Sequence, residues 1–176
     1  MTTTRRDYTP LLEACDAVPH GASRDLRMGV FVRALWEAIG DETGASCSWV
    51  GFYVGPDEPT PDGQRGGDGE MLLAVREPKP ACSPIGLHGA CGRSWLRGET
   101  LVVTDVAHLG EGYVACDPRD RSELVIPCLR EDGSAWGVLD LDAFEAGAFG
   151  ADDAEALQGA LARAGLTRGV PALVIV

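Results

Sequence analysis

Three carboxylates stand in two strand-like runs, where they could act together on a bound ligand. Asp140 and Asp142 alternate with leucines in GVLDLD (137–142), and Glu123 begins the apolar run of SELVIP (122–127). Alternate residues of a strand point to one face of a sheet, so the two aspartates share a face, and Glu123 joins them if the runs pair. Such acids repel one another, which keeps at least one protonated near neutral pH and able to donate a proton. The alternative is that they lie on a solvated sheet face.

A cysteine precedes Glu123 in the polar loop YVACDPRDRS (113–122). Cysteines are often small buried hydrophobes, but the composition of this loop favours an exposed thiol at Cys116. It could be a spare cysteine, a metal ligand or a nucleophile. A nucleophile needs the thiolate, and a neighbouring negative charge, here Asp117, raises a thiol pKa. We therefore expect activation by backbone N–H groups, or by a substrate that ionises the thiol as it binds.

Two more cysteines flank an irregular, Pro- and Gly-containing segment. Cys82 precedes SPIGLHGA, and Cys91 follows it at the start of a short helix, where free N–H groups stabilise an anion. Zinc binding by these two with Cys116 and His88 matches no standard ligand spacing, so we expect no metal. Three further cysteines fall in helix or strand patterns and are interpreted as structural: Cys15, Cys47 and Cys128.

Two aromatic residues with a glycine between them lie on one face of a predicted strand. Trp49 and Tyr53 flank Gly51 in WVGFY (49–53), which leaves a gap between two rings. A small apolar or cationic group of a ligand could fill that gap. The alternative is ordinary core packing against a helix.

The elements that position these residues follow from hydrophobic periodicity. A helix is predicted over about 23–39, with Ser23 as N-cap, Gly40 at its end, and an apolar face that includes Leu26 and Phe31. The order of elements favours an α/β chain of the α+β type, with an antiparallel sheet of about five or six strands flanked by helices. The other predicted elements are a helix from Thr9, strands over 46–54, 70–77 and 100–106, a short helix over 91–97, a hairpin of ELVIPCLR and AWGVLDLD around Asp132-Gly133, and a helix over about 151–164.

The whole chain, 1–176, is predicted to form one domain with its core over about 7–165. Residues 55–69 are almost all turn formers and acids, which indicates a long and mobile hairpin loop. Residues 166–176 are interpreted as a C-terminal extension, and its apolar tail, 170–176, either as an added edge strand or as a contact with a second subunit.

The composition excludes several classes of partner. The net charge is −12, which repels nucleic acid and anionic membrane surfaces. No apolar run approaches the roughly 20 residues that span a bilayer, and the first residues lack the apolar stretch of a signal peptide. We expect a cytoplasmic protein, where six cysteines are more often buried, metal-bound or redox-active than paired in disulfides.

Six short motifs follow one another along the chain: WVGFY (49–53), PAC (80–82), HGACG (88–92), VACD (114–117), SELVIP (122–127) and GVLDLD (137–142). In their order and near their spacing, they together resemble one family, the free methionine-R-sulfoxide reductases, which are stand-alone GAF domains. The similarity covers roughly residues 7–165.

The resemblance implies a GAF-like fold and reduction of the R epimer of free methionine sulfoxide. By it, Cys116 is the catalytic cysteine, Cys82 and Cys91 are resolving positions, and an intramolecular disulfide forms after a sulfenic acid. No bound cofactor is implied; thioredoxin is the expected reductant, and a homodimer is expected. The acids Glu123, Asp140 and Asp142 match the carboxylates around the sulfoxide oxygen, and the predicted substrate-binding residues are Trp49, Tyr53 and Asp117.

The chain also departs from the family pattern. REPKPAC stands before Cys82 where a Gly-Pro-Phe-Gln-Gly-type run is usual, and the gap between Cys82 and Cys91 is one residue short. These departures leave open which thiol resolves first. Two rival functions also remain: a non-catalytic GAF sensor of a small molecule, and a thiol redox switch. Fold alone does not choose among them.

Overall fold

A computed structural model of the chain describes residues 6–110 and 116–176. Within these residues, four α-helices form where the apolar periodicity predicts them. The hydroxyl of Ser23 accepts the N–H of Leu26 at 3.2 Å, which satisfies a free donor at the start of the longest helix. The helices are α1 (Thr9–Asp16), α2 (Arg24–Ile39), α3 (Ala90–Arg97) and α4 (Ala151–Arg163).

In the described part of the chain, seven strands form one sheet in the order β3-β2-β1-β6-β5-β4-β7. Neighbours pair antiparallel except β4 and β7, which are parallel. The strands are β1 (Trp49–Val54), β2 (Glu70–Glu77), β3 (Ile85–Gly86), β4 (Glu99–Val103), β5 (Ser122–Leu129), β6 (Ala135–Ala143) and β7 (Ala172–Ile175).

The β5–β6 hairpin fixes the register on which the site depends. Its turn places Gly133 at φ 83°, a conformation that glycine adopts without steric cost. The N–H of Arg130 donates to the carbonyl of Ser134 at 2.8 Å, which closes the turn. Beyond it, the two strands pair along almost their whole length.

The sheet separates two cores of different size. Helices α1, α2 and α4 cover one face, where Val50, Phe52, Leu139 and Leu141 point into the larger core. Helix α3 packs against β4, β5 and β6, and a smaller core on the other side contains Trp49 and other apolar side chains. The smaller core leaves part of its sheet face for polar groups.

The predicted fold class is confirmed, and the differences are local. The sheet has seven strands because the two-residue β3 and the parallel β7 add to its edges. The interpretation of the segment after residue 165 as an added edge strand holds for β7. Leu26 was predicted on the apolar face of α2, but 49% of it is exposed, since it lies in the first turn beyond the core.

The long connection between β1 and β2 is tied to the rest of the domain by Glu58. Its carboxylate accepts Arg24 of α2 at 2.7 Å and Arg130 at the end of β5 at 2.5 Å. Within the two described stretches, no helix is both long and apolar enough to cross a membrane.

Candidate active site

A cavity of about 280 Å³ opens beside the smaller core, between α3, the strand ends and the segment after β2. The carboxylates on its inner, buried side are those of Glu123 and Asp140, which are buried, and of Asp142, which is half-buried. Its exposed side holds the thiols of Cys82 and Cys116. The cavity therefore brings nucleophiles and proton carriers to one ligand-sized space.

Strand pairing brings the three acids together. Glu123 of β5 lies directly opposite Asp142 of β6, and Val125 lies opposite Asp140. Glu123 and Asp140 are each only 5% exposed. Leu139 and Leu141, which alternate with the aspartates, point to the larger core, so the alternation predicted from the sequence sets the direction of both aspartates.

Burial changes the acidity of these aspartates. Loss of water raises the pKa of Asp140 to about 7, and the charge of Asp120 pushes in the same direction. The pKa of Asp142 is also raised well above its ordinary value, by burial first and then by Asp140 and Glu123. At neutral pH the cluster therefore holds protons that it can give or take.

Asp140 reaches both neighbouring groups in the cluster. It hydrogen-bonds with Cys91 and Glu123. The Cys91 sulfur and one carboxylate oxygen each from Glu123 and Asp140 all lie within 4.8 Å of one another. In the described part of the chain its Oδ1 atom has no hydrogen-bond partner. A ligand in the cavity could supply one.

These three atoms are close enough together to coordinate one cation. They differ from the zinc site considered from the sequence, which consisted of Cys82, Cys91, Cys116 and His88. Metal binding needs the thiolate form of cysteine. Cys91 is buried, and burial followed by the charges of Asp140 and Glu123 raises its pKa well above the ordinary value. The cluster is suited to holding protons rather than a metal.

The thiol of Cys116 contacts Cys82. Both residues are exposed, and Cys116 is hydrogen-bonded to the side chain and to the backbone of Cys82. Partial loss of water and the side-chain bond raise the pKa of Cys116 to about 12, whereas the backbone bond lowers it. The sequence predicts activation of Cys116 by backbone groups, and one such interaction is present, but Cys116 remains a protonated thiol at neutral pH.

The predicted aromatic pair has separate positions. Tyr53 lines the cavity, and its hydroxyl donates to the carbonyl of Cys82 at 2.9 Å. Trp49 lines a smaller cavity of about 100 Å³ behind Cys116. The ring of Trp49 folds over Gly51, where an added Cβ atom would be 2.4 Å from it, so no open gap separates the two rings.

Asp117 does not line the larger cavity, and its carboxylate is already engaged. Lys79 donates to Oδ2 at 2.5 Å, and Arg119 donates to the same atom at 2.7 Å. These cations lower the pKa of Asp117 well below its usual range. Two residues of the VACD motif, 114 and 115, lie outside the described residues.

Sequence reasoning missed Asp120 and Lys79. Asp120 is 5% exposed; it accepts the Ser48 hydroxyl and the Asp117 N–H, both at 3.3 Å. Burial and the Asp117 charge raise its pKa to about 6. In the sequence Asp120 is one acid among several in a polar loop, and the loop has no hydrophobic periodicity that would predict a buried position.

The start of α3 supplies a different kind of group. Gly89, Ala90 and Cys91 line the cavity. Gly89 is the N-cap and offers no side chain to the first N–H groups of the helix. Free donors at a helix N-terminus favour an anion.

Comparison with known proteins identifies the family of the chain. The model of the GAF domain family matches residues 28–167, which is most of the chain. The chain belongs to the GAF domain family. The matched range contains every predicted site residue of this GAF domain.

Three relatives are similar over most of the domain. The free methionine-R-sulfoxide reductase of Saccharomyces cerevisiae is 31% identical over 125 residues, 70% of this chain and 64% of its own length. The free methionine-R-sulfoxide reductase of Neisseria meningitidis, solved in complex with its substrate, has a TM-score of 0.71 at 29% identity, covering 88% of this chain and 83% of that one. The reduced form of fRMsr from Staphylococcus aureus has a TM-score of 0.74 at 28% identity, covering 93% and 97%.

The alignment with the yeast relative spans less than two thirds of that protein, 64%. The family model establishes the family and the fold of this GAF domain. Its reaction is a proposal that rests on the site.

Proposed function

We propose that this GAF domain reduces the R epimer of free methionine sulfoxide to methionine, with Cys116 as the nucleophile. The observation that carries the proposal is the contact between two exposed thiols, Cys116 and Cys82, beside a cavity whose buried side holds three acids. The names of the relatives described above support the substrate.

The first step transfers the sulfoxide oxygen to Cys116. The Cys116 sulfur attacks the substrate sulfur and forms an S–S bond, and the thiol proton passes to the sulfoxide oxygen through the acid cluster. The resulting hydroxyl group then moves to the Cys116 sulfur as the S–S bond and the S–O bond of the substrate break. Methionine leaves and Cys116 becomes a sulfenic acid, so thiol and sulfoxide give sulfenic acid and sulfide. Asp140 is the acid best suited to this relay, because a pKa of about 7 allows it to take and return a proton near neutral pH.

The second step forms a disulfide. We propose Cys82 as the first resolving thiol because it already contacts Cys116, whereas Cys91 is buried against Asp140. The Cys82 sulfur attacks the sulfenic sulfur, an S–S bond forms, and the oxygen leaves as water with the remaining thiol proton. A dithiol such as thioredoxin then reduces the disulfide, which regenerates both thiols and oxidises the partner.

The cavity offers complementary groups for a free amino acid. An ionised carboxylate of the cluster pairs with the substrate ammonium, and a protonated one serves the sulfoxide oxygen. The free N–H groups at the start of α3 suit the substrate carboxylate. A methionine sulfoxide within a peptide lacks both charges and should bind poorly.

We further propose that the protein is a homodimer in the cytoplasm, where a reducing environment keeps the thiols reduced.

A GAF sensor would explain the cavity, and a redox switch would explain the thiols. Neither needs a cluster of acids with raised pKa values beside a sulfur nucleophile. The reductase proposal accounts for the thiols, the acids and the anion-binding helix start in one reaction.

Turnover tests the proposal. The protein is incubated with thioredoxin, thioredoxin reductase and NADPH, and racemic free methionine sulfoxide is added while NADPH consumption and methionine are measured. We expect consumption to stop near half of the racemate, and Cys116→Ser to show none. A peptide containing methionine sulfoxide should be a poor substrate. Consumption of both epimers, or an active Cys116→Ser variant, contradicts the proposal.

A further inference from the structure

A group of ion pairs joins the two segments that carry the exposed thiols. Lys79 Nζ lies 2.5 Å from Asp117 Oδ2, and Arg119 reaches the same carboxylate through Nη2 at 2.7 Å and Nε at 3.0 Å. The Asp117 side chain is 18% exposed, whereas those of Lys79 and Arg119 are 42% and 63% exposed, so solvent screens this group in part.

The positions of these residues relative to the thiols are the important feature. Lys79 stands three residues before Cys82, and Asp117 directly follows Cys116. The two charged residues are 38 positions apart in the chain, and no strand pairing joins their segments. Their contact therefore spans the same gap that the two thiols span.

Each segment is also anchored on its own side. The carbonyl of Lys79 accepts the Trp49 Nε1–H at 2.9 Å, and the carbonyl of Cys82 accepts the Tyr53 hydroxyl at 2.9 Å. The segment that carries Cys82 is thereby fixed to β1 at two points. The ion pair connects this anchored segment to the turn that follows Cys116.

The same turn is braced at a third element. The Arg119 guanidinium lies 4.3 Å from the centre of the Phe144 ring, and Lys79 Nζ lies 5.8 Å from it, just after the end of β6. The Asp117 N–H donates to Asp120 at 3.3 Å. Both cations thus lie over one ring while they share one carboxylate.

From this geometry we infer that Lys79, Asp117 and Arg119 act as a clamp that sets the effective concentration of the Cys82 thiol at Cys116. The inference rests on the proposed function for its purpose, because it assigns a positioning role to the disulfide step of that reaction. Asp117, predicted from the sequence as a substrate-binding residue, is here a positioning residue.

The clamp predicts a measurable change in disulfide equilibrium. In a buffer of oxidised and reduced glutathione, the dithiol gives two electrons and two protons to oxidised glutathione, which yields the Cys82–Cys116 disulfide and two reduced glutathiones. Loss of the clamp lets the segments separate more often in the reduced form. We expect Lys79→Gln to lower the equilibrium constant for this disulfide by about two- to fivefold, the scale of a partly screened ion pair.

A matched control lies two residues beyond Arg119. Arg121 makes an exposed ion pair with Asp105 at 2.7 Å. Arg121→Gln removes one positive charge and one ion pair from the same neighbourhood but leaves the three clamp residues in place. Its equilibrium constant for the Cys82–Cys116 disulfide should therefore equal that of the unaltered protein. Lys79→Arg keeps the positive charge, so its equilibrium constant should stay close to that of the unaltered protein.

Lys79 is the single lysine of the chain, which allows a second test without mutation. Acetylation of amines removes the lysine charge, whereas reductive methylation keeps it. Both reactions also modify the α-amine, so the two products are matched there. The acetylated protein should behave as Lys79→Gln does, and the methylated protein as the unmodified one does.

The outcomes separate the clamp from the proposed reaction. An unchanged constant in Lys79→Gln, or an equal fall in Arg121→Gln, overturns the clamp. Raising the ionic strength should lower the constant of the unaltered protein towards that of Lys79→Gln, and an identical salt response of the two also overturns it. These measurements use no methionine sulfoxide, so a failed turnover assay with a shifted constant refutes the reductase and leaves the clamp intact.

Discussion

The proton relay through Asp140 makes a specific prediction about pH. The reaction needs one proton shared between Cys116, whose pKa is raised to about 12, and Asp140, whose pKa is raised to about 7. Between these values the main form is a thiol beside a carboxylate, which has the one proton that the relay transfers. Below about pH 7 the carboxylate is protonated, and the form that can accept the thiol proton is lost.

The magnitude follows from this titration. Each pH unit below the pKa of Asp140 reduces the carboxylate fraction about tenfold. We therefore expect kcat/KM for free methionine sulfoxide to be level above about pH 7 and to be about 100-fold lower two units below it. The sign is a loss of rate as pH falls, because the cluster has to accept the thiol proton before it returns it to the oxygen.

The assay is kcat/KM against pH in the turnover system, with methionine formation measured directly so that the coupling enzymes do not limit the rate. Asp140→Asn keeps the shape of the side chain but cannot carry the proton, so the break near neutral pH should disappear with most of the rate. Asp132→Asn, in the exposed hairpin turn, is the matched control and should keep the profile. A level profile through neutral pH, or an unchanged break in Asp140→Asn, refutes the relay.

Three further predictions concern the scaffold and the thiols. Leu141→Ala removes a fully buried side chain and should cost about 2–5 kcal/mol in the free energy of unfolding measured with urea, whereas Leu26→Ala, in a half-exposed position, should change it by less than about 1 kcal/mol. Gly51→Ala places a Cβ atom 2.4 Å from the Trp49 ring and 2.8 Å from a backbone carbonyl, so it should lower the free energy of unfolding measured with urea by about 1–3 kcal/mol. After one turnover without reductant, Cys82→Ser should retain a sulfenic acid that dimedone labels, whereas Cys91→Ser should not; the reverse pattern would make Cys91 the first resolving thiol.

The periodic elements could be predicted from the sequence because each carries its own signal. The alternation of Leu139, Asp140, Leu141 and Asp142 specifies which side chains face the helices, and the structure has the leucines in the larger core. Once the hairpin turn at Gly133 fixes the register, Glu123 must lie near the aspartates. Local pattern and turn chemistry together therefore position the acids.

Contacts between irregular segments could not be predicted in this way. The ion pair of Lys79 with Asp117 joins two loops without periodicity, and nothing in the sequence pairs those residues rather than others. The ring of Trp49 fills the space over Gly51 for a similar reason, since side-chain direction within one face depends on its neighbours. The parallel pairing of β7 with β4 depends on how the chain returns after α4, which composition alone does not specify.

The central claim is that Cys116 takes oxygen from free methionine-R-sulfoxide and that Cys82 captures it as a disulfide. The direct measurement is a reaction of the reduced protein with this sulfoxide and no added reductant, followed by quantification of methionine and peptide mapping. The account predicts about one methionine for each chain and a disulfide between Cys82 and Cys116. Formation of no methionine, or of methionine without modification of Cys116, would contradict it.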